Sequence, residues 1–252
     1  MNWRAAGIIA LMGLAALVAS CSQPEAPSVP TANSLNTLQS YRWVSDLRAD
    51  STLFDQNQAP AALRTGPFTL RVHVEGERLL PDREHAVTTV QPAAVDPRES
   101  IIAGTQRWNR VLGGSWAPGE DAFPTAKAYF GTTATLSARA ILEPRETSAV
   151  TDLRDQLASM PYREETVATG VARRYTLRPQ QVAAIVNDPE LNPFPVLKSM
   201  PAVRIDFWVH EARRVIVGLR VAGDTATKPE AFLIELSLTE LDVPGLRIDP
   251  PR

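Results

Sequence analysis

The residue types able to carry chemistry in this chain are one cysteine, three histidines, and a few adjacent acids and arginines. Cys21 is alone, so it can form no intramolecular disulfide, no Cys-Xaa-Xaa-Cys redox pair and no thiolate metal cluster. What remains for its sulfur is alkylation or acylation. His73, His85 and His210 each lack a second metal ligand at useful spacing, and His73 and His210 fall on the polar phase of their segments, where a histidine is solvated. Glu164-Glu165 and the pair Asp152 and Asp155 read as helix or loop surface rather than a catalytic dyad. Arg173-Arg174 and Arg213-Arg214 read as solvated edges, with contact to anionic headgroups as the alternative. No His-Glu-Xaa-Xaa-His, Gly-Xaa-Ser-Xaa-Gly or Ser-Xaa-Xaa-Lys pattern and no phosphate loop is present. The sequence therefore predicts no catalytic residue, no metal and no cofactor: a protein that is not an enzyme.

The surroundings of Cys21 say which sulfur chemistry is meant. Arg4 supplies a positive start, Ala5 to Ala19 an apolar stretch, and Leu17-Val18-Ala19-Ser20 ends in small residues before the cysteine. The stretch is short of the roughly 20 apolar residues that span a bilayer, so it reads as an export signal. It resembles the bacterial lipoprotein box, and the resemblance implies cleavage after Ser20 and lipid on the sulfur and new α-amino group of Cys21. Acylation would also remove a reactive thiol from an oxidising compartment. Two or more acyl chains would hold the protein stably, which one chain does not.

Three units follow: a signal peptide over 1–20, an acylated cysteine and tether over 21–37, and one domain over 38–252. Residues 22–36 (SQPEAPSVPTANSLN) have no apolar period and three prolines, a composition that stays extended and unpacked. The net charge of −2 argues against nucleic acid as a partner.

Strand patterns dominate the domain. Phe68, Leu70, Val72 and Val74 alternate with polar residues, and Gly76 and Pro81-Asp82 punctuate a loop before His85–Val90. Ile101–Gly104 and Thr105–Leu112 follow, up to the turn at Gly113-Gly114. Val203-Ile205-Phe207-Val209, Val215-Val217-Leu219-Val221 and Phe232-Ile234-Leu236-Leu238 make an antiparallel meander, with turns at Glu211–Arg213 and Gly223-Asp224. Helices are expected over Pro124–Ile141, within Ser148–Met160 and from Pro179 to Val186, and a hairpin turning near Gly170. The fold class is α+β: a curved antiparallel sheet, a half-open β-barrel, wrapped around a helical layer.

Several landmarks together resemble the LppX/LprG-type (LprAFG) envelope lipoproteins, relatives by fold of the LolA/LolB and RseB group. They are Cys21, Tyr41 opening the first strand, the Gly76 to Pro81-Asp82-Arg83 segment, and Ile101–Gly104 before Trp108. The turn Gly113 to Trp116, Gly170-Val171 leading into Arg174-Tyr175, and Phe207-Trp208-Val209 complete the set. The chain departs from the pattern in a long Pro-interrupted segment from Pro118 to Arg163, where a helical lid would lie. The resemblance implies a LolA-like fold whose apolar cavity takes acyl chains of a lipid or glycolipid without transforming them, at the extracytoplasmic side of the cell envelope.

The expected cavity lining is the meander's inward row: Val203, Ile205, Phe207, Val215, Val217, Leu219, Phe232, Ile234 and Leu236. A filled core made of the same residues is the alternative. Trp43, Trp108, Trp116 and Trp208 are candidates for a cavity rim, where an amphipathic ring suits a wet–dry boundary, with ordinary packing as an equal alternative. The competing function is a protein-interaction or sensor module, RseB-like, using the same curved sheet on an envelope partner.

Overall fold

The computed structural model describes residues 32–53, 66–92, 96–119, 137–142, 156–157, 159–189, 191–192 and 194–251. Cys21, the export signal, and most of the first two expected helices lie outside the described residues.

Eleven strands form one antiparallel sheet: β1 (Ser40–Asp50), β2 (Thr69–Leu79), β3 (Arg83–Gln91), β4 (Arg98–Ala103), β5 (Gln106–Val111), β6 (Ala117–Pro118), β7 (Tyr162–Val167), β8 (Gly170–Thr176), β9 (Ala202–His210), β10 (Ile216–Asp224) and β11 (Phe232–Leu241). Their order is β6-β5-β4-β3-β2-β1-β11-β10-β9-β8-β7. Neighbours in sequence pair as hairpins on either wing, and β1 meets β11 to join the wings. The sheet is curved and does not close, with β6 and β7 as its edges.

One face is apolar at its centre because the sequence alternates in phase across the paired strands. Along β1, Tyr41, Trp43, Ser45, Leu47 and Ala49 are buried, while Asp46 and Arg48 between them are exposed. Among the described residues two helices lie against this inner face: α1 (Ala138–Leu142) beside β1, β10 and β11, and α2 (Pro179–Asn187) beside β9. Ala138, Leu142, Val182 and Val186 share one apolar cluster with the inner residues of the sheet, and Leu157 and Met160 join them. Pro179 opens α2 at a position where its missing N–H costs nothing, and Gln181 Oε1 accepts from Arg178 N at 2.8 Å.

Two glycines expected to punctuate turns are inside strands. Gly76 is directly opposite Trp43, and Gly223 opposite Val203 and Phe232. Each leaves the space another side chain needs: a Cβ on Gly223 would lie 2.1 Å from Met200 Sδ. The turn between β10 and β11 therefore comes after Asp224, where Thr225 N bonds Lys228 O.

Residues expected to belong to the tether are docked. Asn33 bridges Val215, Ser34 caps a 3₁₀ turn over Leu35–Thr37, and Leu35 is 2% exposed. The folded part thus takes in residues before 38, because Leu35 and Leu38 are large enough to seal the cluster's rim.

Candidate functional site

The inner face can be read as a grid, since residues paired across antiparallel strands share a side. One row is continuous over ten strands: Val111, Arg98, Thr88, Val74, Ser45, Leu236, Leu219, Phe207, Tyr175 and Tyr162, from β5 round to β7. Its middle is dry, with Val74, Leu236 and Phe207 buried, and its ends are wet, with Val111 at 41% and Tyr162 at 46% exposure. Tyr175 stacks on Phe207 at 5.3 Å, Tyr162 packs against Tyr175, and Arg173 lies over Tyr162 at 4.6 Å. An unbroken aromatic path thus leads from the interior to the β7 edge.

Of the nine residues expected to line a cavity, Val203, Ile205, Phe207, Leu219, Phe232, Ile234 and Leu236 share this side by pairing, and Val215 and Val217 are buried at the start of β10. Ile205, Phe207, Val215, Val217, Phe232, Ile234 and Leu236 are buried in the cluster, and Val203 and Leu219 are half-buried against it. Val215 precedes β10 and is bridged to Asn33, and a register shift lies between Ile216 and Gly218.

Two buried polar groups sit among these apolar residues without a hydrogen-bond partner among the described residues: Trp43 Nε1 and Ser45 Oγ. They occupy successive inward positions of β1, at 1% and 0% exposure. Water or a ligand normally satisfies such groups, because leaving one bare costs about 1–3 kcal/mol. Trp43 is thus no rim residue: it is part of the floor.

Toward β5 the grid turns polar. The row Tyr41, Arg78, Glu84, Ile102, Arg107 holds a buried ion pair, Arg78 Nη1 donating to Glu84 at 2.9 Å while Nη2 donates to Pro81 O at 3.0 Å. Burial pushes the Glu84 carboxyl above the usual range, against the pull of Arg78, Arg139 and Arg107. The sequence did hold a signal for this pair: Arg78 and Glu84 stand symmetrically about Pro81, so a hairpin turning there must pair them.

The outer face is a lattice of ion pairs rather than a site. Arg42 bonds Glu240 and Glu77; His85 lies between Glu77 and Glu99; Arg110 donates to Glu99 and covers Trp116 at 4.3 Å. Glu165 stands on β7, not on the helix or loop its sequence suggested. It accepts from Trp208 Nε1 at 2.7 Å and from Arg174 at 3.1 Å, and the Trp208 bond foremost holds its carboxyl below the usual range. Asp46 is the main cause that raises His73, helped by Glu75 and opposed by partial burial. His210 anchors a turn: its Nδ1 accepts from Arg213 N–H at 3.1 Å, and its Nε2 lies 3.0 Å from Thr169 O. Among the described residues no group of His, Cys, Asp and Glu could hold a metal ion, and no helix is long and apolar enough to cross a membrane.

No family model and no curated protein matches this chain. Solved structures do. A LolA superfamily protein from Nitrosomonas europaea is 12% identical, with 86% of this chain and 95% of that one covered and a TM-score of 0.27. A DUF1329 family protein from Desulfovibrio piger is 9% identical over 84% and 89%, with a TM-score of 0.25. A domain described as outer membrane lipoprotein-sorting, from Vibrio parahaemolyticus, is 10% identical over 82% and 87%, with a TM-score of 0.22. Likenesses this distant carry no functional argument, and the fold class rests on the strand order and pairing above.

Proposed function

We propose that this protein binds the acyl part of a lipid or glycolipid between the inner face of the sheet and its helices, without chemical change to it. Val203, Ile205, Phe207, Val215, Val217, Leu219, Phe232, Ile234 and Leu236 line that space, and acylated Cys21 keeps the domain at the extracytoplasmic side of an envelope membrane. The observation that carries this reading is the inner row, apolar and dry at Leu236 and Phe207 yet open to solvent at Tyr162. An acyl chain needs such a lining and few polar partners. The bare Trp43 Nε1 and Ser45 Oγ give an ester or amide carbonyl somewhere to bond. The LppX/LprG-type resemblance supplies the same ligand class.

Native mass spectrometry of the full chain tests this. Co-isolated lipid of defined mass is expected, and its loss in Phe207→Trp or Val217→Trp, whose added bulk fills the row. A bare chain in every preparation rejects the reading. Cys21→Ala is expected to abolish membrane retention. A second reading, docking of an envelope protein partner, is favoured by the exposed Tyr162 on edge strand β7 and the exposed Val171 on β8 beside it; a persistent polypeptide in the same spectra would support it instead.

A further inference from the structure

The polar quarter of the inner face has a charge imbalance that the outer face lacks. On β2–β5 the inward residues include three arginines, Arg78, Arg98 and Arg107, against one carboxylate, Glu84. Arg139 on α1 adds a fourth positive charge, close enough to act on Glu84 together with Arg107. Glu84 is already taken by Arg78 at 2.9 Å. Arg98, Arg107 and Arg139 make no hydrogen bond or ion pair among the described residues, whereas Arg42, Arg110, Arg174, Arg204 and Arg220 on the outer face are each bonded to one or two carboxylates. Arg98 Nε is moreover buried and unpartnered, one strand away from Thr88 in the same row as Ser45.

A lane of small side chains runs from the apolar floor at Trp43 outward between Arg98 and Arg107. The row Trp43, Gly76, Ala86, Ser100, Asn109 has nothing larger than a serine over β2, β3 and β4. Along this lane the inner face passes from the apolar floor to small side chains, with Arg98 and Arg107 on either side of its outer end. That sequence of surfaces matches an amphiphile with a negatively charged head. Guanidinium groups are the side chains best suited to phosphate or carboxylate, through charge-assisted and often paired hydrogen bonds.

We propose that Arg98, Arg107 and Arg139 bind an anionic headgroup, phosphate or carboxylate, of the amphiphile whose chain lies over β9–β11. The Arg78–Glu84 pair closes the inner end of this cradle. The assignment rests on the acyl-binding reading above and narrows its ligand class to anionic amphiphiles.

The full chain, purified in digitonin, is titrated calorimetrically with dodecyl phosphate, dodecyl maltoside and inorganic phosphate. The wild type should bind dodecyl phosphate more tightly than dodecyl maltoside. The triple variant Arg98→Gln, Arg107→Gln, Arg139→Gln should lose about tenfold or more in affinity for dodecyl phosphate and keep its affinity for dodecyl maltoside. A control of equal charge on other surfaces, Arg71→Gln, Arg163→Gln, Arg247→Gln, should bind both as the wild type does. Equal losses for both amphiphiles in the triple variant, no loss at all, or the same loss in the control would overturn the cradle while leaving acyl binding intact. If inorganic phosphate binds in an arginine-dependent way and neither amphiphile does, the anion site stands and the acyl-binding reading falls. If none of the three binds, both fall. Matching thermal unfolding midpoints establish that the triple variant is folded.

Discussion

Trp43 lies across the backbone of Gly76 on the neighbouring strand so closely that a Cβ at position 76 would sit 2.0 Å from the indole Cη2. The largest side chain of the inner floor therefore depends on the absence of any side chain opposite it. Gly76→Ala should destabilise the protein by about 1–3 kcal/mol, through displacement of the indole. Gly66→Ala, where a Cβ meets nothing within 4 Å, should leave stability nearly unchanged. Urea denaturation midpoints compare the two; equal midpoints would mean that the indole has room to move.

The buried pair Arg78–Glu84 should behave unlike the exposed ones. Arg78→Met leaves the Glu84 carboxylate buried without its partner and should cost about 3–5 kcal/mol. Arg78→Met combined with Glu84→Leu should recover most of that loss. Arg48→Met, whose pairing with Glu235 is exposed and 3.9 Å long, should cost under about 1 kcal/mol. Chemical denaturation of the set measures all three.

Two glutamates should give stability opposite dependences on pH. Glu84 is raised, by burial first, so its folded form holds a proton more tightly than the unfolded chain does. Its contribution is complete below the ordinary glutamate pKa and declines as pH rises through the raised folded value. Glu165 is lowered, by its Trp208 bond first, so its contribution is present above the ordinary value and is lost as pH falls through the lowered one. Thermal midpoints across the acid range should therefore gain with rising pH in Glu84→Gln relative to the wild type, and lose their acid-side slope in Glu165→Gln. Parallel profiles for the two variants would refute the assignment.

Leu35, at 2% exposure, makes the segment before β1 part of the fold. Leu35→Ala should cost about 2–4 kcal/mol in thermal or chemical unfolding. A neutral outcome would return residues 33–37 to the tether.

How much of this was legible in the sequence depended on whether one residue pattern had one structural solution. The meander was, since apolar residues recur at every second position within each of its three segments, from Val203, Val215 and Phe232 onward. The hairpin near Gly170 and the helix after Pro179 were read for similarly local reasons, and the open antiparallel sheet followed from them. Gly76 and Gly223 were not, because a glycine that ends a strand and one that admits a neighbouring side chain look alike without the partner, here Trp43 and Met200. The hairpin expected from Thr166 starts earlier, since β7 begins at Tyr162; the charged Glu164-Glu165 hides this start, and Glu165 is held on the strand by Arg174 and Trp208, partners that no local pattern shows. For Trp43 the residue type leaves rim and packed interior equally open, and the structure decides for the interior, with Nε1 buried. The inner row emerged only from pairing, since its members lie on ten strands and no periodicity links Val111 to Tyr162.

The most direct measurement is photo-crosslinking of the full chain with a fatty acid that carries a diazirine in its tail, followed by peptide mapping. Adducts should fall on inward residues of the meander such as Phe207, Val217 and Ile234, and disappear in Phe207→Trp. Adducts confined to outer-face positions such as Trp208 and Arg220, or none above the level of a heat-unfolded control, would contradict the claim that the interior between sheet and helices receives an acyl chain.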